Sequence, residues 1–557
     1  MPHTLTVRID QHTCQVQAGA SLFDCAIAMG APLPTSCQKQ GKCRECALEV
    51  VEGESLLTGR TAAEKHLAPR FRLGCCARVA STAAVGTEIR CHTSRRGAMR
   101  IERHAFHLPV RDRGWTPDPA VTRAGDTILL EGEPIATGSG PLHGLAIDVG
   151  TTTVVLRLLN LETGDVVADA SFENPQRFGG TDVMARIHFD TLDGTRTLQR
   201  TLSRALARAI GELPVDPSSI YEVVVAGNST MRDLFFGLDV GPIGQSPYQS
   251  VTEQDMAAGR RTSTHLEKRA RRLGLPVHAA ARVYGLPIIS GHVGADAAAC
   301  ILAIGLAEEE RLVALMDIGT NTELIIGNRE RVLAASCPAG PAFEGGQITF
   351  GMPGLPGAIE RVVIRDDGTV QTTVIDDLAP EGLCGSGLVD LLGELLRTGR
   401  INALGRFVEG EAEFVVDTRG ERPITLHESD INALAQAKGA NMAGLRIAAG
   451  EYGVRFADID VFYLAGGFGR HLNIQAARDI GLIPDIDDAR IVQIGNAAIE
   501  GACIALLSRS RRAGLERLIR GVTHCRLETH PGFFDAFVDG CQFRRFDAVM
   551  EAAEPSP

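Results

Sequence analysis

Four cysteines, Cys37, Cys43, Cys46 and Cys75, have the type and spacing to hold a redox metal centre. Three of them share one short polar loop, Cys37-x5-Cys43-x2-Cys46, which contains Gly41. Four thiolates are the ligand set of a [2Fe–2S] cluster, and one spacing class, C-x4-C-x2-C with a distant fourth cysteine, packs three of them into a single loop. The first gap here is one residue longer. Such a loop turns backbone N–H groups toward cluster sulfurs, and its chemistry is one-electron transfer. Structural zinc is the alternative, but it usually takes two CxxC-like pairs and only Cys43/Cys46 forms one.

A second constellation occurs twice. Leu145-Ala146-Ile147-Asp148-Val149-Gly150-Thr151-Thr152-Thr153 recurs as Leu315-Met316-Asp317-Ile318-Gly319-Thr320-Asn321-Thr322. In each, an apolar strand delivers an Asp, then a Gly, then hydroxyl or amide residues and another apolar run. Chemically this is a phosphate hairpin: Gly150 and Gly319 let the backbone approach closely, while Thr151, Thr152, Thr320 and Asn321 face phosphate oxygens. Asp148 and Asp317, at the strand ends, are placed to hold a Mg²⁺-bound water or to orient an attacking one. One such string would be an ordinary turn; two at matching positions imply duplicated lobes with nucleotide between them. Each copy precedes another buried-strand run ending in glycine, Val223–Gly227 and Val461–Gly467, and Gly466-Gly467 is suited to pass close to adenosine. Asp296, in a turn before a small-residue helix, and Glu344, in a loop expected to be mobile, are further candidates to position water or Mg²⁺. For both, and for Cys384 between glycines, a plain structural role is the competing reading.

Around the cysteine loop the pattern is a hairpin over residues 4–17, a helix opened by Ser21 with Asp24 three residues on and closed at Gly30, and a strand over residues 47–53. This order resembles the ferredoxin β-grasp. Phe71–Val79 reads as an extended apolar run, in which alternation lets only one of Cys75 and Cys76 face the cluster; similarity to ferredoxins with Leu-x-Cys at this point selects Cys75. Cys14, Cys25 and Cys91 read as buried or partly exposed free thiols.

At 557 residues, the chain is expected to hold several domains. A net charge of −12 argues against nonspecific nucleic-acid binding. No apolar run of about 20 residues appears, which argues against a membrane helix, and Met1-Pro2-His3-Thr4 begins no signal-peptide pattern. The expectation is a cytoplasmic protein with mostly reduced, singly scattered cysteines. The expected division is a ferredoxin-type domain over 1–91 and a basic, proline-bearing connecting segment over 92–143, either a solvated tether or a docking strip. An ATPase domain follows over 144–545, with lobes at 144–310 and 311–545, then a flexible tail over 546–557.

The duplicated hairpins with the glycine loop at 464–469 resemble the actin, sugar-kinase and heat-shock-ATPase superfamily. Joined to a ferredoxin, and with Gly-Asn-Ser-Thr-Met at 227–231, Val-Gly-Ala-Asp at 293–296, Gly-Pro-Ala-Phe-Glu-Gly at 340–345 and Cys-Gly-Ser-Gly-Leu at 384–388, the chain resembles the reductive activators of corrinoid enzymes. The strings at 463–469, 480–484 and 494–498 extend the similarity over essentially the whole chain, although segment 92–143 is short beside a family described as having a larger middle domain. The resemblance implies an α/β and α+β multidomain architecture, a [2Fe–2S] cluster, ATP and Mg²⁺. It also implies ATP-dependent one-electron reduction of inactive Co(II) to Co(I) in a corrinoid methyltransferase protein. An upstream donor such as a flavin or NAD(P)H reductase, and a homodimeric assembly, complete the expectation. The rival readings are a ferredoxin-type carrier whose nucleotide fold only senses or clamps a partner, and a small-molecule kinase with an appended ferredoxin.

Overall fold

The computed structural model describes residues 4–547 except 11, 31–32, 34–38, 42–45, 66, 83–86, 94–115, 409, 421–422 and 468–470. The first unit is a five-stranded mixed sheet in the order His12–Gln17, Thr4–Ile9, Glu88–His92, Ala47–Glu52, Phe71–Leu73. Its helix, Leu22–Ala28, starts where the Ser21 side chain accepts the Asp24 N–H, and Gly30 follows it with φ +75°. Leu22, Phe23, Cys25 and Ala26 face the sheet and are buried. The strand expected over 71–79 stops at Leu73, and residues 74–76 form a turn. Alternation therefore does not decide between Cys75 and Cys76.

Two six-stranded sheets follow, built alike. The first runs Val166–Glu173, Thr153–Asn160, His143–Val149, Ile220–Ala226, Arg282–Gly285, Leu266–Arg269. The second runs Ile491–Gly495, Val461–Ala465, Val313–Asp317, Thr322–Gly327, Val332–Cys337, Thr523–His524. In the first, Asp148 lies opposite Ala226 on a parallel neighbour; in the second, Asp317 lies opposite Ala465 on a parallel neighbour. The duplication legible in the sequence is thus a duplication of register. A smaller sheet of Val370–Val374, Ala358–Ile364 and Gly382–Leu383 carries the helix Gly385–Arg397 beside the second lobe.

Two helices fill the space between the large sheets, Ala295–Ala303 and Ala497–Leu507. The second is buried at all eleven positions; ten are apolar or small, and the one charged residue, Glu500, is paired with Arg157. Although it follows the last long strand of the second lobe, it packs on His143–Val149 and Ile220–Ala226 of the first. Small residues allow the helices to touch: a Cβ built on Gly501 would lie 1.9 Å from the Ala299 carbonyl oxygen. Gly501→Ala is expected to force the helices apart and cost about 1–3 kcal/mol, read as a lowered Tm; an unchanged Tm would contradict close packing at this crossing.

The connecting segment divides. Its arginine-rich part, residues 94–113, lies outside the described residues. From Thr116 onward the chain is docked, not free. Val121–Ala124, Thr127–Leu130 and Glu133–Thr137 form a three-stranded sheet whose Val121 and Ile128 are buried in the inter-lobe core. Asp118 accepts the Ser510 N–H at 3.0 Å at the start of the helix Arg509–Ile519. That helix is pinned to the first lobe by Arg512, which meets Glu222 at 3.0 Å beside the 2.6 Å pair of Glu222 with Arg282. At the far end, the tail expected from 546 begins with a buried residue, since Phe546 is packed against Phe456 at 5.6 Å between ring centroids.

Candidate functional site

Each lobe presents its hairpin by the same local device. Gly227 (φ +143°) and Gly466 (φ +114°) end the strands beside Asp148 and Asp317. A Cβ on Gly227 would stand 2.7 Å from the Val149 carbonyl oxygen, and one on Gly466 would stand 2.3 Å from that of Ile318. Any side chain there would push the neighbouring strand end out of place. Asn228 and Asn496, each directly after a glycine, cap the helices Ser229–Phe236 and Ala497–Leu507 with their side-chain oxygens. Their amides turn into the site: Asn228 Nδ2 donates to Thr151 Oγ1 at 3.0 Å, and Asn496 Nδ2 donates to Asp148 Oδ2 at 2.9 Å. Sequence reasoning gave neither a role; the repeated Gly-Asn at 227–228 and 495–496 was the available signal.

The hairpins face one another across a cavity of 240 Å³. Asp148, Gly150, Thr151, Thr152, Asp296, Asp317, Gly319, Thr320, Asn321, Glu344, Gly466 and Gly467 all line it. The structure therefore brings together every sequence candidate outside the cysteine set. Thr152 Oγ1 and Thr320 Oγ1 are 3.2 Å apart, and both donate to Glu344 Oε2, from Thr152 at 3.0 Å. Glu344 is therefore held at the meeting point of the lobes rather than carried by a free loop. Cys384, buried at the start of Gly385–Arg397, donates its thiol to the Ile359 carbonyl at 3.4 Å.

The cavity is strongly acidic. Burial pushes Asp148 up to about 6 against the opposing Asn496 hydrogen bond. Burial also raises Asp296 and Asp317 to about 7 each, and the nearby carboxylate charges add to the effect. Both line the cavity half-buried, so solvent moderates these shifts. A carboxyl raised from 3.8 withdraws stability as pH climbs toward 7, because the folded chain then holds the extra proton. Asp296→Asn is thus expected to be more heat-stable than the parent at pH 8, by on the order of 1–2 kcal/mol, with the advantage shrinking as pH falls and vanishing only below the unfolded value of 3.8. Equal Tm values at pH 8 would contradict it.

A divalent cation would neutralise this cluster. Among the described residues, no three His, Cys, Asp or Glu side chains come together as a ready-made metal cage.

Behind the first hairpin, Arg186 is fully buried. It donates to the Thr151 carbonyl at 2.6 Å and the Gly180 carbonyl at 3.0 Å. Asn174 Nδ2 donates to the Gly150 carbonyl at 2.8 Å. These supports had no signature in the sequence.

Of the cysteine set, Cys37 and Cys43 lie outside the described residues. Cys46 and Cys75 are buried with sulfurs 3.4 Å apart. Two thiolates on one tetrahedral metal at ~2.3 Å stand ~3.7 Å apart, so the pair fits two ligands of a single iron. Cys76 Sγ is 3.8 Å from Cys75 and abuts Gly41, where a Cβ would come within 3.0 Å of it.

Comparison with known proteins gives three family matches along the chain. They are a 2Fe-2S iron-sulfur cluster binding domain over residues 5–80, the RACo middle region over 143–309, and the C-terminal domain of RACo, the ASKHA domain, over 311–553. The middle region therefore corresponds to the first lobe, not to a shortened segment 92–143. The chain is 31% identical over 433 residues to the corrinoid activation enzyme RamQ of Eubacterium limosum, covering 72% of this chain and 70% of that one. It is 24% identical to a [Co(II) methylated amine-specific corrinoid protein] reductase of Methanosarcina barkeri, covering 74% and 80%. Among solved structures, a reductive activator for corrinoid, iron-sulfur protein superposes with a TM-score of 0.71 at 27% identity, covering 97% of this chain and 98% of that one.

Proposed function

This chain belongs to the RACo family of reductive activators, and on that footing we propose how its two sites share the work. The protein is an ATP-dependent activator that reduces the inactive Co(II) state of a corrinoid protein to Co(I) by one electron. The observation that carries the reading is one chain holding both a buried cysteine pair within a 2Fe-2S domain and a two-lobed acidic cleft with duplicated phosphate hairpins.

Cys46 and Cys75, with Cys37 and Cys43, hold the cluster. When bound, this group supplies a one-electron donor, with plant-type potentials near about −400 mV. Each ~100 mV by which the cobalt couple lies lower costs about 2.3 kcal/mol. Nucleotide offsets that cost only if its bound states grip the partner differently, and lobes hinged on two helices supply such a two-state element. Asp148 and Asp317 hold Mg²⁺ and orient water, Asp296 shares that charge, and Gly466-Gly467 lies along adenosine. Gly150, Thr151, Thr152, Gly319, Thr320 and Asn321 hold phosphates.

Glu344 occupies the hydroxyl donors that phosphate would use. Glu344→Gln is therefore expected to bind ATP several-fold more tightly and turn it over more slowly. Calorimetric titration beside phosphate release separates these effects, and weaker binding would contradict the assignment.

The partner is a corrinoid-bearing methyltransferase protein, the donor upstream is a flavin or NAD(P)H reductase, and the setting is the cytoplasm. Among the described residues, no helix is long and apolar enough to cross a membrane. ATP turnover measured with and without the Co(II) corrinoid protein tests this account. Turnover should rise with the partner; a simple electron carrier would show none.

A further inference from the structure

One short segment touches both working parts of the molecule. Asn174 N–H donates to the Thr152 carbonyl at 2.6 Å and its side chain to that of Gly150 at 2.8 Å, so the segment starting here is bonded to the first phosphate hairpin. Six residues on, Gly180 is tied to the same hairpin through Arg186, which donates to both Gly180 and Thr151. Asn174, Gln176 and Arg186 are fully buried, and Phe178 is packed edge-on against Phe189, so the segment is stiff.

Its outer side holds the iron–sulfur unit. The Ala68 N–H donates to the Phe178 carbonyl at 3.0 Å, Arg177 pairs with Glu49 at 3.1 Å, and its guanidinium lies over the Phe71 ring at 5.7 Å. Glu49 and Phe71 are paired with each other on the Ala47–Glu52 and Phe71–Leu73 strands, which border Cys46 and Cys75.

We propose that the segment Asn174–Gly180 is a joint by which nucleotide in the cleft loosens the docking of the cluster-bearing domain on the first lobe. The proposal rests on the reading of the cleft as a nucleotide site and adds how occupancy reaches the cluster. The structure bonds hairpin, joint and ferredoxin unit in one series. Phosphate engaging Thr151 and Thr152 draws the hairpin toward the cleft and the joint with it. On the ferredoxin side, apolar packing continues the core across the joint, whereas the partly exposed ion pair and the one backbone hydrogen bond are each weak, so a small displacement releases these polar contacts first. A ligand shifts such an equilibrium by its differential affinity for the two states.

The test is hydrogen–deuterium exchange on the full cluster-loaded protein, with and without a non-hydrolysable ATP analogue and Mg²⁺. Two sets of peptides matter: those spanning the hairpins, 148–153 and 317–322, and that spanning 62–73. Nucleotide is expected to slow exchange in the hairpins and to speed exchange at 62–73 by about 5-fold or more. In Arg177→Ala, exchange at 62–73 should already be fast without nucleotide and should not respond further, while ATP affinity should tighten by up to a similar factor, as reciprocal coupling requires; Arg177→Lys should be intermediate. Hairpins that respond while 62–73 is unchanged or slowed would overturn the joint and leave the nucleotide reading standing. Hairpins that do not respond would overturn both. Arg177→Ala with a fully protected, still responsive 62–73 peptide would also overturn the joint.

Discussion

Asp317→Asn abolishes ATP-driven reduction of the Co(II) corrinoid protein, by roughly 10²–10³-fold, while the visible spectrum of the cluster stays that of the parent. The substitution keeps the volume and removes the charge. Asp317 stands at a strand end opposite Ala465, with the Cys300 thiol donating to it at 3.3 Å, so its carboxylate is aimed into the cleft by groups that do not otherwise change. Burial already makes that charge costly, since it pushes Asp317 up to about 7. A chain that keeps a carboxylate in such a place gains from it only when a cation arrives. The amide variant should fold at least as stably and lose Mg²⁺-dependent turnover. Full retained reduction would remove the cleft from the mechanism.

The second large effect is at the other end of the chain. Cys46→Ala is expected to eliminate the cluster's visible absorption and all electron delivery, yet to leave ATP affinity within about 2-fold. The sulfur removed is 3.4 Å from Cys75; the neighbouring thiol, Cys76 at 3.8 Å from Cys75, lies on the turn at residues 74–76 and would have to move that turn to take its place. The two sites lie in separate sheets, which is why one can be deleted and the other kept. An iron–sulfur spectrum like the parent's would overturn Cys46 as a ligand.

Much of this was readable in the sequence because it is local or repeated. The Asp148 and Asp317 hairpins announce themselves twice with the same residue types, and the structure gives them the same register against Ala226 and Ala465. Ser21 and Gly30 mark the ends of a helix by chemistry confined to one turn. Other features were hidden because they depend on distance along the chain. Asn496 reaches Asp148 from 348 residues away, and Thr152 meets Glu344 from 192 residues away. Nothing local says that Ala497–Leu507 will pack on the first lobe; its run of small and apolar residues says only that it is buried. The Cys75-Cys76 pair misled for the opposite reason: an apolar run suggests a strand, but Gly74 sits where a Cβ would meet Leu33 at 2.7 Å, and the chain turns there. Segment 92–143 read as a tether or a docking strip from its composition; the buried Val121 and Ile128, with Asp118 bonded to Ser510, hold its second half against the lobes.

The central claim is that nucleotide in the cleft drives an electron from the cluster to cobalt. Anaerobically reduced protein mixed with its Co(II) corrinoid partner, and followed by the cobalt absorption spectrum with and without MgATP, tests it most directly. Conversion to Co(I) that requires ATP, and is lost in both Asp317→Asn and Cys46→Ala, is the predicted result. Conversion at the same rate and to the same extent without ATP, or none with ATP present and the cluster reduced, would contradict it.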